Sequence, residues 1–117
     1  MQSDIPPRTF NFSVRVVKLC RSLGSKPGIS RTLAGQLLRS GTSIGANVEE
    51  AQASQSAADF ISKYSISCKE ARETHYWLRL LVATETVPAS HLAELLDECN
   101  QIIAILTSII KKLKAKQ

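Results

Sequence analysis

The chain has 117 residues, 44% hydrophobic, 21% charged and only 5% aromatic, which excludes a disordered chain and predicts a single domain with one mainly aliphatic core. Net charge is +5 and unevenly spread: residues 1–48 carry seven basic residues against Asp4, residues 49–110 carry nine acids against four basic residues, and residues 111–117 carry four lysines and no acid. The apolar runs are too short to span a membrane, the start Met1-Gln2-Ser3-Asp4 is too polar for a signal peptide, and three cysteines without a CxxC pair read as reduced core thiols of a cytoplasmic protein.

Pro6-Pro7 is expected to close an extended lead, with Thr9 or Asn11 capping a first helix over about 9–23. Phe12, Val16, Leu19 and Leu23 form its apolar stripe, with Arg8, Arg15 and Lys18 on another face. Gly24-Ser25-Lys26-Pro27-Gly28 is a turn. Ser30 is placed to cap a second helix over about 30–53, whose stripe is Leu33, Leu37, Ser40, Ile44, Val48 and Ala51. Gly41 and Gly45 each cost about 1 kcal/mol against Ala in a helix. That cost points either to a neighbouring backbone at close range or to a kink.

Ser56 is placed to cap a third helix over about 57–85, with Asp59 in its first turn. One stripe runs through Ala57, Phe60, Tyr64, Ser67/Cys68, Ala71, His75, Leu78 and Val82. A second comprises Ile66, Glu70, Glu73, Trp77 and Leu80/Leu81, so this helix has more than one partner to satisfy. Thr86-Val87-Pro88 ends it, and Ser90 is placed to cap a fourth helix over about 90–114. There Leu92, Cys99, Leu106 and Leu113 recur every seven residues, with Leu95/Leu96, Ile102/Ile103 and Ile109/Ile110 between them. No alternating strand pattern exists. Four helices with short connections predict an all-α, antiparallel up-down-up-down bundle. The wide apolar face of the fourth helix and the second stripe of the third predict self-association.

Arg39, Ser43, Asn47 and Glu50 share one face of the second helix and can meet Glu70 and Glu73 of the third. This row reads as a structural polar network fixing helix register or a subunit interface, with a functional site as the other reading. Arg8, Arg15, Lys18 and Arg21, joined by Lys111, Lys112 and Lys114 if the ends of the first and fourth helices lie close, are the candidate nucleic-acid-binding residues. The same charges also fit solvated helix faces and a Lys-rich tail. No aromatics interleave them, so phosphate-directed, salt-dependent binding without base stacking is expected. Glu49/Glu50 and Glu70/Glu73 are carboxylate pairs with no nucleophile beside them, and His75 and His91 lack the Glu-x-x-His spacing of a di-metal bundle. No enzyme activity, metal or cofactor is expected.

The segment from Arg39 to Ala51 resembles the signature R-S-x-x-S-I-x-x-N-I-x-E-G, and Asp59 to Leu78 resembles D-F-x-x-K-x-x-I-A-x-K-E-A-R-E-T-x-Y-W-L, of a bacterial four-helix-bundle family named after proteins encoded in intervening sequences of 23S rRNA genes. The resemblance spans about Phe10 to Leu113, with Ala51 in place of Gly and Ser67 in place of Ala. It implies a homopentameric ring. It also implies kinship with the accessory protein of diversity-generating retroelements, which engages reverse transcriptase and nucleic acid. Together these observations predict a cytoplasmic, oligomeric binding or scaffold protein acting on RNA or DNA, with a protein–protein adaptor as the alternative.

Overall fold

Pro6 and Pro7 lie inside the first turn of a helix, not before it. In the computed structural model, which describes residues 4–117, α1 spans Ile5–Leu23, α2 Ile29–Ala51, α3 Ala57–Ala83 and α4 Ala89–Ala115. The expected start near residue 9 is thus four residues late. A helix leaves its first N–H groups unpaired, so proline loses nothing there and its φ is already helical. Thr9, expected as a cap, is buried one turn in, where its hydroxyl donates to the carbonyls of Ile5 (2.9 Å) and Pro6 (3.1 Å). Met1-Gln2-Ser3, which carried most of the argument against a signal peptide, lie outside the described residues.

Ser56 caps α3 as expected, accepting the Asp59 N–H at 3.0 Å. Ser30 and Ser90 cap nothing, because α2 and α4 begin one residue earlier, at Ile29 and Ala89, with Gly28 and Pro88 in the N-cap positions. Gly28 has φ 132°, a conformation that only glycine adopts without strain, so turn geometry sets the start of α2. α3 ends where Glu85 enters the left-handed region at φ 59°. There the Thr86 N–H returns to the Leu81 carbonyl and the Glu85 N–H to the Val82 carbonyl, both at 3.0 Å, which satisfies the last turn.

The helices alternate in direction as an antiparallel four-helix bundle 47 × 22 × 18 Å, with no strand among the described residues. The α1–α2 and α3–α4 turns share one end. The start of α1, the α2–α3 turn and the end of α4 share the other. Leu92, Leu95, Cys99, Ile102 and Leu106 form the buried seam of α4, and meet Phe12, Val16, Leu37, Ile44, Val48, Leu78 and Leu81 in one core. Leu96, Ile103, Ile105, Ile109 and Ile110 pack partly buried against that seam. Part of the width assigned to self-association is therefore used within the chain. Cys20, Cys68 and Cys99 are free and buried, and burial pushes the Cys99 thiol up to about 12.

α2 is the helix on which its neighbours register. A Cβ on Gly45 would meet the Thr9 carbonyl oxygen at 3.1 Å, and one on Gly41 would meet the Val16 side chain at 2.8 Å. The glycines thus serve close approach to α1, not a kink. Toward α3, the buried hydroxyls of Ser40 and Thr74 meet at 2.9 Å, and Thr74 also lies 2.8 Å from the Glu70 carbonyl. Thr74 is the donor of this pair and shares its one proton between Ser40 and the Glu70 carbonyl, while Ser40 donates to the Leu37 carbonyl at 3.4 Å. One turn away, the buried Ser67 hydroxyl donates to the Ile44 carbonyl at 2.8 Å. Thr74, not His75, therefore occupies the inner stripe of α3. His75 is only half-buried and accepts from Arg79 Nε at 3.2 Å.

The expected polar row is built in part. Arg39 bonds both Glu70 (3.3 Å) and Glu73, and the Trp77 indole donates to Glu73 at 2.9 Å. Ser43 and Asn47 do not reach α3. Each satisfies itself on its own helix, Ser43 on the Arg39 carbonyl (2.7 Å) and Asn47 on the Ser43 carbonyl (2.8 Å). Glu50 pairs instead with Lys63 at 2.7 Å, because it lies two turns beyond the level of Glu70. The Arg39 cluster is half in water and the fully buried lock is the hydroxyl set beside it.

These contacts fix two expected outcomes. Nothing lies within 4 Å of a Cβ placed on Gly35, so Gly35→Ala should stabilise by about 0.5–1 kcal/mol through helix propensity. Gly41→Ala has the same propensity gain but must displace buried Val16, and should be at least about 1 kcal/mol less stable than Gly35→Ala. Urea unfolding of the two variants measures this. The Trp77 indole, and then Arg39, hold the Glu73 carboxyl below the usual carboxylate range. Its folded pKa is thus lower than its unfolded one. Its stabilisation is present above the ordinary value near pH 4.3 and is lost as pH falls through the depressed value. Glu73→Gln should therefore lower stability at neutral pH and flatten its loss on acidification from about pH 5 to pH 3, read from urea midpoints across that range.

Candidate nucleic-acid interface

Basic residues matter for anion binding only where no carboxylate has claimed them. Arg8, the first expected phosphate contact, is claimed: its Nε and Nη2 bond the two Glu98 oxygens at 3.0 and 2.7 Å, and Nη2 also bonds Gln101 at 3.0 Å. This hydrogen-bonded carboxylate raises the guanidinium further above its ordinary value. Arg15 lies 4.0 Å from Glu94. Glu94 and Glu98 of α4 thus turn toward α1 and screen Arg8 and Arg15, whereas Lys18 and Arg21 have no carboxylate within 4.0 Å among the described residues.

The expected union of both ends of the chain is not built. Because α1 and α4 are antiparallel, Lys18 and Arg21 lie toward the α1–α2 turn while Lys111, Lys112 and Lys114 lie at the opposite end. At about 1.5 Å per residue, Lys111 stands about 25 Å along the axis from the level of Arg15, and Lys18 and Arg21 lie further still. That exceeds the Debye length of about 8–10 Å in ordinary salt, so the two groups do not act on one ligand phosphate.

The C-terminal lysines have other companions. Lys111 and Lys114 of α4 face Lys69 and Arg72 of α3 across an open groove of about 460 Å³, with the hydroxyls of Ser65 and Thr107 along its walls. Spacings of i, i+3 place both members of each pair on one side of their helix. Among the described residues none of these four cations has a carboxylate within 4.0 Å. The acids of α3 are elsewhere: Glu70 and Glu73 turn to Arg39. Lys112 is exposed but does not line the groove. Lys69 and Arg72 escaped the sequence reading because segment totals made residues 49–110 look acidic. The available signal was their helical phase, which turns Lys69 about 100° and Arg72 about 160° away from Glu70.

A second surface lies between α1 and α2. Phe10 is 57% exposed, and Val14 and Leu38 are also open to solvent. Shallow grooves there are lined by Phe10, Ala46 and Glu49 at one end and by Val17, Arg31 and Leu38 at the other. Among the described residues no three His, Cys, Asp or Glu side chains converge as a metal site, and no helix is long and apolar enough to cross a membrane.

Residues 2–108 match the family model described as "23S rRNA-intervening sequence protein". A crystal structure of a protein with unknown function from the S23 ribosomal protein family of Bacteroides thetaiotaomicron is 41% identical, with a TM-score of 0.85 over 92% of this chain and 98% of that one. No curated protein matches. With two signature helices packed through Arg39, Glu70, Glu73 and Trp77, and a family model matching nearly its whole length, this chain belongs to the 23S rRNA-intervening sequence protein family.

Proposed function

We propose that the protein is a non-enzymatic binding protein of the cytoplasm that engages the phosphate backbone of RNA or DNA through the α3–α4 groove, working as a homo-oligomer. The observation that carries the reading is the set of four cations, Lys69, Arg72, Lys111 and Lys114, facing one groove with no carboxylate within 4.0 Å of any of them among the described residues. Lysine and arginine in such a groove exchange condensed counterions for phosphate contacts, which needs no sequence readout. The rRNA in the family name agrees with that ligand class. Three of the four carboxylates that suggested acid–base chemistry are engaged in ion pairs: Glu70 and Glu73 with Arg39, and Glu50 with Lys63.

Assembly multiplies a weak groove by the number of copies. The resemblance points to five, and a nucleic-acid enzyme such as a reverse transcriptase is the partner class it implies. The exposed Phe10, Val14 and Leu38 of the α1–α2 face favour a second reading, in which that face meets protein and the chain acts as an adaptor without nucleic acid.

Fluorescence anisotropy with a labelled oligonucleotide separates the two. Four phosphate contacts on a single strand predict a slope of about −3 for log K against log salt. Lys69→Glu with Arg72→Glu should weaken binding about tenfold or more, whereas Lys18→Glu with Arg21→Glu should leave it near wild type. Absence of binding at about 50 mM salt would falsify the reading.

A further inference from the structure

The basic stripe of α3 does not stop at the groove. Lys69, Arg72, Tyr76 and Arg79 follow at i, i+3, i+7 and i+10, which keeps them within about 80° of the helix circumference at 100° per residue. All four are exposed, and Tyr76, at 48%, is the large aromatic ring on this outer face. Its ring is also held in place. Trp77 meets it edge-on at 5.1 Å between centroids, and Trp77 is itself fixed by its bond to Glu73. The Arg79 guanidinium stands 5.9 Å over the Tyr76 ring and is tethered by its bond to His75 Nδ1. A shallow depression is lined by Tyr76, Arg79, Leu80 and Ala83. The sequence alone predicted no aromatic among the cations. The fold supplies one, on a different helix from the basic residues then considered.

An exposed aromatic beside a cationic groove discriminates between forms of nucleic acid. In a duplex every base is already stacked between its neighbours, so no base face is free to lie on an aromatic ring. In a single strand a base is free to lie on an aromatic face while its flanking phosphates meet cations. We infer that the groove takes single-stranded nucleic acid, with phosphates on Lys69, Arg72, Lys111 and Lys114 and a base stacked on Tyr76 beside Arg79. This rests on the phosphate-binding reading above and deepens it to a ligand class. A preordered ring loses little freedom on binding, which favours stacking by Tyr76 over stacking by a mobile side chain.

The test is anisotropy on the full chain at about 50 mM salt with three probes of about 12 nucleotides per strand: oligo-dT, oligo-U and a mixed-sequence DNA duplex. Both single strands should bind more tightly than the duplex. Tyr76→Ala should weaken single-strand binding about fivefold or more, leave the salt slope unchanged because no charge is lost, and leave duplex binding unchanged. Tyr76→Phe, which keeps the ring, should bind as wild type. Equal binding of oligo-dT and oligo-U supports contacts to phosphate and base face alone, and a preference for either names the source of the strand. Duplex binding as tight as single-strand binding, or an unaffected Tyr76→Ala variant, overturns the inference while leaving phosphate binding intact. Failure of all three probes to bind wild type removes both.

Discussion

The close approach of α2 to its two neighbours is the constraint on which the rest of the molecule depends. On one side glycines 41 and 45 let α1 come to within van der Waals range of its backbone. On the other side Ser40 meets Thr74, and Ile44 receives Ser67, at hydrogen-bond distance. A buried hydroxyl left unpaired costs about 1–3 kcal/mol, so this face of α3 cannot rotate or slide by a turn without loss. Fixing α3 in rotation fixes which of its residues face outward. It is this register, set from behind by small side chains, that points Lys69, Arg72 and Tyr76 away from the core.

The placement of acids decides which cations remain available. Glu94 and Glu98 of α4 turn to α1, where they meet Arg15 and Arg8. Glu70 and Glu73 of α3 turn to Arg39 of α2. Such partly solvated ion pairs add about 0–1 kcal/mol each to stability, too little to explain the fold. Their larger effect is on the surface potential. They pair Arg8, Arg15 and Arg39, while Lys69, Arg72, Lys111 and Lys114 of the α3–α4 groove, like Lys18 and Arg21 toward the α1–α2 turn, have no carboxylate within 4.0 Å among the described residues.

Much of the architecture was legible in the sequence because it rests on period. The heptads through Leu92, Cys99 and Leu106 gave α4, Ser56 and Asp59 gave the start of α3, and the segment Gly24–Gly28 gave the first turn. The start of α1 was misread because Pro6-Pro7 marks either the end of an extended lead or a first helical turn, and only packing of Ile5 into the core decides. The polar row was half legible. Arg39 has the length to span to α3, whereas Ser43 and Asn47 are short and bond their own backbone, and helical phase alone does not tell these apart. Ser67, a departure from the signature that the segment resembles, holds the α2–α3 contact. Of the groove, only Lys111 and Lys114 were read as phosphate contacts from the sequence. Lys69 and Arg72 are separated from Lys111 and Lys114 by about 40 residues, and which cations meet depends on the direction of α4 and on where every acid turns.

Mapping backbone amide shifts by two-dimensional NMR as oligo-dT is titrated into the labelled protein tests the central claim most directly. The account predicts shifts confined to two strips, residues 65–79 of α3 and residues 107–114 of α4, with the Trp77 indole signal moving alongside Tyr76. Shifts centred on residues 15–31 near the α1–α2 turn, or spread evenly over all basic residues, would contradict it.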